Sequence, residues 1–186
     1  MVKAEFSTLR FFLQSFVAEF EPTLNNYLTK KREELSRIDE AGAELVDEIH
    51  SFARSGGKRI RAALVYLGFR MTGNEGGNIL LATVGMELMH TFFLIHDDIM
   101  DRSDTRRNKP TLHRTVEEKH RNLLENAGVD QQHFGYSMAI LAGDLCCAIA
   151  YEALARSNFP PERILRAIQK MHEIVGSTVT GQVLDM

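Results

Sequence analysis

Apolar residues recur every three or four positions through almost the whole of this chain, and no convincing stretch alternates apolar with polar side chains. A helix brings residues three and four apart onto one face, whereas a strand turns every second residue to the same side. The pattern therefore predicts an all-α protein, an antiparallel helix bundle whose neighbours are joined by short turns. At 186 residues the chain has material for one domain with a real core, and no Gly- or Ser-rich linker divides it.

The spacing predicts a helix over Phe6 to Leu35, with Leu9, Phe12, Leu13, Phe16 and Phe20 on its apolar face and Pro22 as a kink or break. A second helix runs from Ile38 to Ala53 and stops at Ser55-Gly56-Gly57. A third spans Lys58 to Met71, closed by Thr72-Gly73-Asn74 and Gly76-Gly77, and a fourth runs from a cap at Asn78 to about Arg102. Residues 103–114 read as a loop, and Thr115 to Ala127 as a charged, exposed helix within a solvated insertion over 115–132. His133 to Arg156 and Pro161 to about Leu184 complete the set. The helical pattern runs into Met186 without a stop signal, so a C-terminal truncation is expected.

Composition narrows the function. A net charge of −3 carries no global polyanion footprint, so nucleic acid is not an expected partner. Cys146 and Cys147 are adjacent in a helical pattern, where a disulfide would be strained. They read as small buried hydrophobes in a reducing cytoplasm. Ile79 to Ile95 is the one membrane candidate in this reading. It falls short of a span of about 20 residues and carries Glu87 and His90, so a buried protein helix and no transmembrane segment are expected.

The chemistry starts where that helix ends, at Asp97-Asp98-Ile99-Met100-Asp101. Asp97 and Asp101, four apart, share a helix face, where like charges repel unless a cation offsets them. Two carboxylates completed by phosphate oxygens and waters suit Mg²⁺, which seldom uses an all-protein cage. His90, Phe93, Asp97 and Asp101 fall on one stripe, polar at its mouth and aromatic a turn deeper. That stripe suits a substrate with a diphosphate head and a hydrocarbon tail. Positive charge is equally local. Gly56-Gly57-Lys58-Arg59-Ile60-Arg61 can offer backbone N–H groups and a helix start to an anion. Lys58 and Arg61 are expected on one side, and Arg106 and Arg107 on the loop above the acids.

Seven stretches in order then resemble one family, the trans-isoprenyl diphosphate synthases or polyprenyl synthetases. They are Gly-Gly-Lys-Arg-Ile-Arg at 56–61, Glu-Leu-Met-His at 87–90, His-Asp-Asp-Ile-Met-Asp at 96–101, Thr-Arg-Arg at 105–107, Pro-Thr-Leu-His at 110–113, Leu-Ala-Gly-Asp at 141–144 and Gly-Gln-Val-Leu-Asp at 181–185. The resemblance implies a bundle around a central cavity, a homodimer, and magnesium-assisted head-to-tail condensation of isopentenyl diphosphate with an allylic diphosphate. It implies that Lys58, Arg61, His90 and Arg107 hold isopentenyl diphosphate. Asp97 and Asp101 would ligate magnesium, Arg106 would contact the allylic diphosphate, and Gln182 and Asp185 would support the cluster. Asp98 points elsewhere on the helix and is expected to partner a basic residue.

The resemblance also implies that bulky residues at the positions of Phe92 and Phe93 shorten the product, which favours farnesyl (C15) over geranylgeranyl (C20). Phe93 lies about 40° from the Asp97 direction and Phe92 about 140° away, so Phe92 is expected on a neighbouring wall. His96 and His113 read as hydrogen-bonding residues of the scaffold. The family's second aspartate-rich motif has no counterpart after Asp185, so the chain alone is expected to be inactive or nearly so. Two alternatives compete: a non-catalytic partner of a complete synthase, and a class I terpene cyclase. The second is disfavoured by Lys58, Arg61 and the Arg106-Arg107 pair, since a cyclase has no second diphosphate to hold.

Overall fold

A computed structural model describes residues 2–74 and 77–186. Gly76, half of the stop signal expected after the third helix, lies outside the described residues. Seven helices account for most of the described chain: α1 Val2–Ser36, α2 Glu40–Ala53, α3 Ile60–Met71, α4 Ile79–Met100, α5 Leu112–Ala127, α6 Gln131–Ala155 and α7 Pro161–Asp185. The expected all-α bundle is what forms.

Pro22 does not break α1, which continues unbroken across it. Phe16 and Phe20 before the proline, and Leu24, Tyr27 and Leu28 after it, are all buried. One continuous apolar face therefore outweighs a single missing backbone hydrogen bond. Leu9 departs from that face and is exposed. Caps set the starts of later helices. The Asp39 carboxylate accepts from the Ala41 amide at 2.9 Å, Asn78 from Leu81 at 3.0 Å and Asp130 from His133 at 3.0 Å. Pro161 opens α7, where its missing N–H costs nothing.

The core centres on α4 against α6. Leu88, Met89 and Ile95 bury against Ala139, Ala142, Cys146, Ile149 and Ala150. Two glycines let the backbones approach. A Cβ on Gly85 would lie 2.7 Å from the Ala150 carbonyl, and one on Gly143 would lie 2.6 Å from His96 Nε2. By length and composition both helices are apolar enough to cross a membrane, so Ile79–Met100 is not the lone candidate; Gln131–Ala155 is the second. The two helices pack on each other, with 44% and 39% of their apolar windows buried.

Two further expectations change. The 115–132 segment is more than a solvated insertion: though mostly exposed, it buries Val116 and Leu124, and α5 packs along α6. Its charged face hid an apolar stripe on the opposite side. Residues 103–114 contain a short hairpin, β1 Thr105–Arg106 with β2 Lys109–Pro110, paired antiparallel. Its turn residues Arg107 and Asn108 both have positive φ, 54° and 61°, as a two-residue hairpin loop requires. Asn tolerates that backbone; Arg pays about 1–2 kcal/mol for it.

Candidate functional site

The C-terminal half of α4 lines a cavity of about 400 Å³ closed on its far side by α7. Asp97 and His96 stand at one end, Arg61 and His90 join from α3 and α4, and Met86, Met89, Phe92 and Phe93 make the apolar wall. Thr178, Val179, Gln182 and Val183 of α7 face them. Acid, base and apolar lining thus share one space, as the α4 stripe anticipates.

At the acidic end the Asp101 amide donates to the Asp97 carbonyl at 2.8 Å, so the helical turn carries through and the two carboxylates stay on one face. Asp101 is exposed, while Asp97 is partly covered. Arg106 reaches back from the hairpin. Its Nη2 donates to Asp97 Oδ2 at 3.0 Å and its Nε to Asp98 Oδ1 at 2.7 Å. Asp98 is 1% exposed, and its Oδ2 has no partner. Burial pushes its carboxyl up from the usual range, and the Arg106 contact pulls it back. Asp98 does pair with a basic residue, and that residue is Arg106. Among the described residues no three His, Cys, Asp or Glu side chains converge as a metal cage. Two hard carboxylates, leaving positions for water and phosphate oxygens, nonetheless fit magnesium's demands.

At the basic end Arg61 Nη1 lies 3.1 Å from His90 Nε2. A guanidinium can only donate, so Nε2 accepts and the imidazole carries its proton on Nδ1. Burial, then Arg61, Arg107, Arg106 and Arg59, push the His90 pKa down to about 4. This end therefore holds an uncharged imidazole within a field of guanidinium groups. Arg107 lies over the glycine turn: a Cβ on Gly57 would sit 3.2 Å from its Nη1. Gly56 and Gly57, at φ 115° and 145°, form that turn because side chains there would be strained and would meet the guanidinium.

Lys58 is not brought to His90. It precedes α3, which starts at Ile60, and Arg59 between them is left-handed at φ 51°. The three-residue helical spacing from Lys58 to Arg61 therefore does not apply. Lys58 borders a separate groove with Leu9, Arg10 and Leu13 of α1. Phe92 is corrected as well. It lines the same cavity as Phe93, with ring centroids 4.8 Å apart, because α7 closes a wide arc around α4. Gln182 faces the cavity from α7; Asp185 is exposed and does not line it.

His96 and His113 behave as scaffold residues. His96 Nε2 lies 3.3 Å from the Ile140 carbonyl, edge-on to Phe92. His113 is buried beside Tyr136. Arg59, passed over by the sequence reading, is the buried member of the basic block: 4% exposed and bonded to Glu21 and Glu87.

An all-α bundle whose cavity joins Asp97, Arg61 and His90 to an apolar well, with Asp101 exposed beside it and outside its lining, fits the isoprenoid-synthase class of protein. The family model for polyprenyl synthetases matches residues 43–186. The chain belongs to the polyprenyl synthetase family. It is 33% identical over 159 residues to a geranylgeranyl pyrophosphate synthase of Geoglobus acetivorans, covering 86% of this chain and 44% of that protein. It is 34% identical over 163 residues to a short chain isoprenyl diphosphate synthase of Methanocaldococcus jannaschii, covering 87% and 43%. Among solved structures it superposes on a Corynebacterium glutamicum geranylgeranyl pyrophosphate synthase, crystallised with isoprenyl diphosphate and magnesium, at TM-score 0.81 and 32% identity. That match covers 92% of this chain and 49% of the other. The chain thus spans a little under half the length of the relatives it matches.

Proposed function

We propose that this chain carries the isopentenyl diphosphate subsite and one carboxylate wall of a prenyltransferase that joins isopentenyl diphosphate head to tail to an allylic diphosphate. The observation behind this is the one cavity that Asp97, Arg61, His90, Phe92 and Phe93 line together. Asp97 and Asp101 would hold magnesium, which, when bound, would neutralise charge on the allylic diphosphate.

The chain's own groups account for the remaining requirements. As the allylic C–O bond breaks, negative charge grows on the departing diphosphate, and Arg106, already fixed beside Asp97, stabilises it. Arg61, His90 and Arg107 hold the second diphosphate, so that its double bond faces the developing cation. The apolar wall keeps out water, which would otherwise capture that cation as an alcohol. A new C–C bond forms, and the proton lost from the adjoining carbon passes to the released diphosphate.

Two aromatic rings in the well favour a short product. Their bulk supports farnesyl (C15), whereas the names of the relatives support geranylgeranyl (C20). A homodimer, which the family resemblance implies, and a cytoplasmic location, which the two free helical cysteines favour, belong to the same proposal.

Calorimetric titration tests it. Asp97→Ala with Asp101→Ala is expected to weaken magnesium-dependent binding of an allylic diphosphate by about a hundredfold. Binding of isopentenyl diphosphate in magnesium-free buffer should stay within about twofold. Equal loss of both ligands would reject the division into two subsites.

A further inference from the structure

The basic block contains one buried cation. Arg59 is 4% exposed, whereas Lys58 and Arg61 on either side are exposed. It sits at the N-cap of α3 with a left-handed backbone, φ 51°, and its side chain is buried. An ordinary residue resists that conformation, so something must hold it. The guanidinium does so with three bonds to three different helices. Nε donates to Glu21 of α1 at 2.7 Å, Nη1 to Glu87 of α4 at 2.8 Å, and Nη2 to the Ala53 carbonyl at the end of α2 at 2.8 Å. The Phe20 ring lies beneath, its centroid 5.8 Å from the guanidinium carbon.

Glu87 lies one helical turn before His90, so its bond to Arg59 fixes how α4 is rotated and shifted against the start of α3. Arg61 follows Arg59 by two residues and meets His90 at 3.1 Å. A buried ion pair is weak evidence of stability, because desolvation offsets most of its attraction. Its geometric content is the stronger reason for its presence.

We propose that Arg59 is a positioning residue for the isopentenyl diphosphate subsite: it touches no substrate, but ties the start of α3 to α1, α2 and α4 so that Arg61 and His90 present one anion-binding surface. This rests on the assignment of that subsite under Proposed function.

The test is calorimetric titration of isopentenyl diphosphate into the whole chain in magnesium-free buffer, with folding checked by circular dichroism. Arg59→Gly keeps the left-handed backbone at no strain and removes only the side chain. The pair Arg59→Met with Glu87→Leu removes the two buried charges together and leaves Glu21, which is partly exposed and can turn to water. Arg59→Lys keeps the charge but reaches fewer anchors. Ile49→Ala, in the core away from the site, reports what general destabilisation does. Affinity should fall about tenfold in the first two variants, less in Arg59→Lys, and stay within about twofold in Ile49→Ala. The His90 imidazole, followed by nitrogen NMR, should lose the Nε2 acceptor signature in the Arg59 variants and keep it in Ile49→Ala. Wild-type affinity in any folded Arg59 variant overturns the proposal while leaving the subsite intact. Absence of binding by the wild type, or no effect of Arg61→Gln, overturns the subsite and this proposal with it.

Discussion

The two ends of the cavity are built on opposite plans. The basic end is anchored from beneath: Arg61 and His90 touch each other, and the buried Arg59 ties their helices to α1 and α2. The acidic end is held from above by one residue, Arg106, which spans Asp97 and Asp98 while Asp101 stays exposed. An anion subsite gains from donors fixed in advance, since each ordered side chain costs entropy when a ligand must organise it. A carboxylate pair meant for a hydrated cation gains from staying open, because the metal brings waters and phosphate oxygens as its other ligands.

The strongest way to break this contrast is to remove each anchoring arginine in turn. Arg59→Met leaves Glu87 buried without its partner and is expected to cost about 3–5 kcal/mol of stability in urea denaturation. Arg106→Met should cost less, about 1–3 kcal/mol, because Asp97 is partly solvated and Asp98 can take up a proton. Equal losses would erase the distinction between an anchored and an open end.

The apolar well between the ends comes next. In an active enzyme that contains this chain, Phe92→Ala and Phe93→Ala should each lengthen the product seen by chromatography, since both rings line one cavity. If only Phe93→Ala acts, the helical-wheel distinction between the two positions is restored.

The smallest effect is a pH dependence confined to the basic end. His90 titrates near 4 in the folded chain, below its ordinary value of 6.5. Between those values the unfolded chain binds more protons, so stability should fall as pH drops from about 6.5 to about 4. His90→Gln should remove close to one proton from that slope in urea titrations across the range. An unchanged slope would show that neither burial nor the neighbouring guanidinium groups depress the imidazole.

Much of the site was legible because a helix is a reliable ruler. The stripe from His90 through Phe93 to Asp97 emerges where periodicity places it, and the Asn78 cap sits at the expected residue. What periodicity missed has local causes. The left-handed Arg59 interrupts the helical phase, which separates Lys58 from Arg61 and hides a buried cation among exposed ones. Helical angles describe one helix, and the arc of cavity facing Phe92 is set by α7, far along the chain. In α5 the charged residues drew attention from Val116 and Leu124, which bury on α6. The hairpin depends on two positive φ angles, one at an arginine, a residue that rarely marks a turn.

That hairpin has a consequence for how two substrates could be measured against each other. Arg106, on the strand, turns toward the aspartates, and Arg107, at the tip, turns toward the glycine loop. Neighbouring Cα atoms across a trans peptide are about 3.8 Å apart. On the proposed assignment, one peptide unit would link the residue beside the aspartates to the residue beside the glycine loop, so that a tilt of the tip would move both arginines at once.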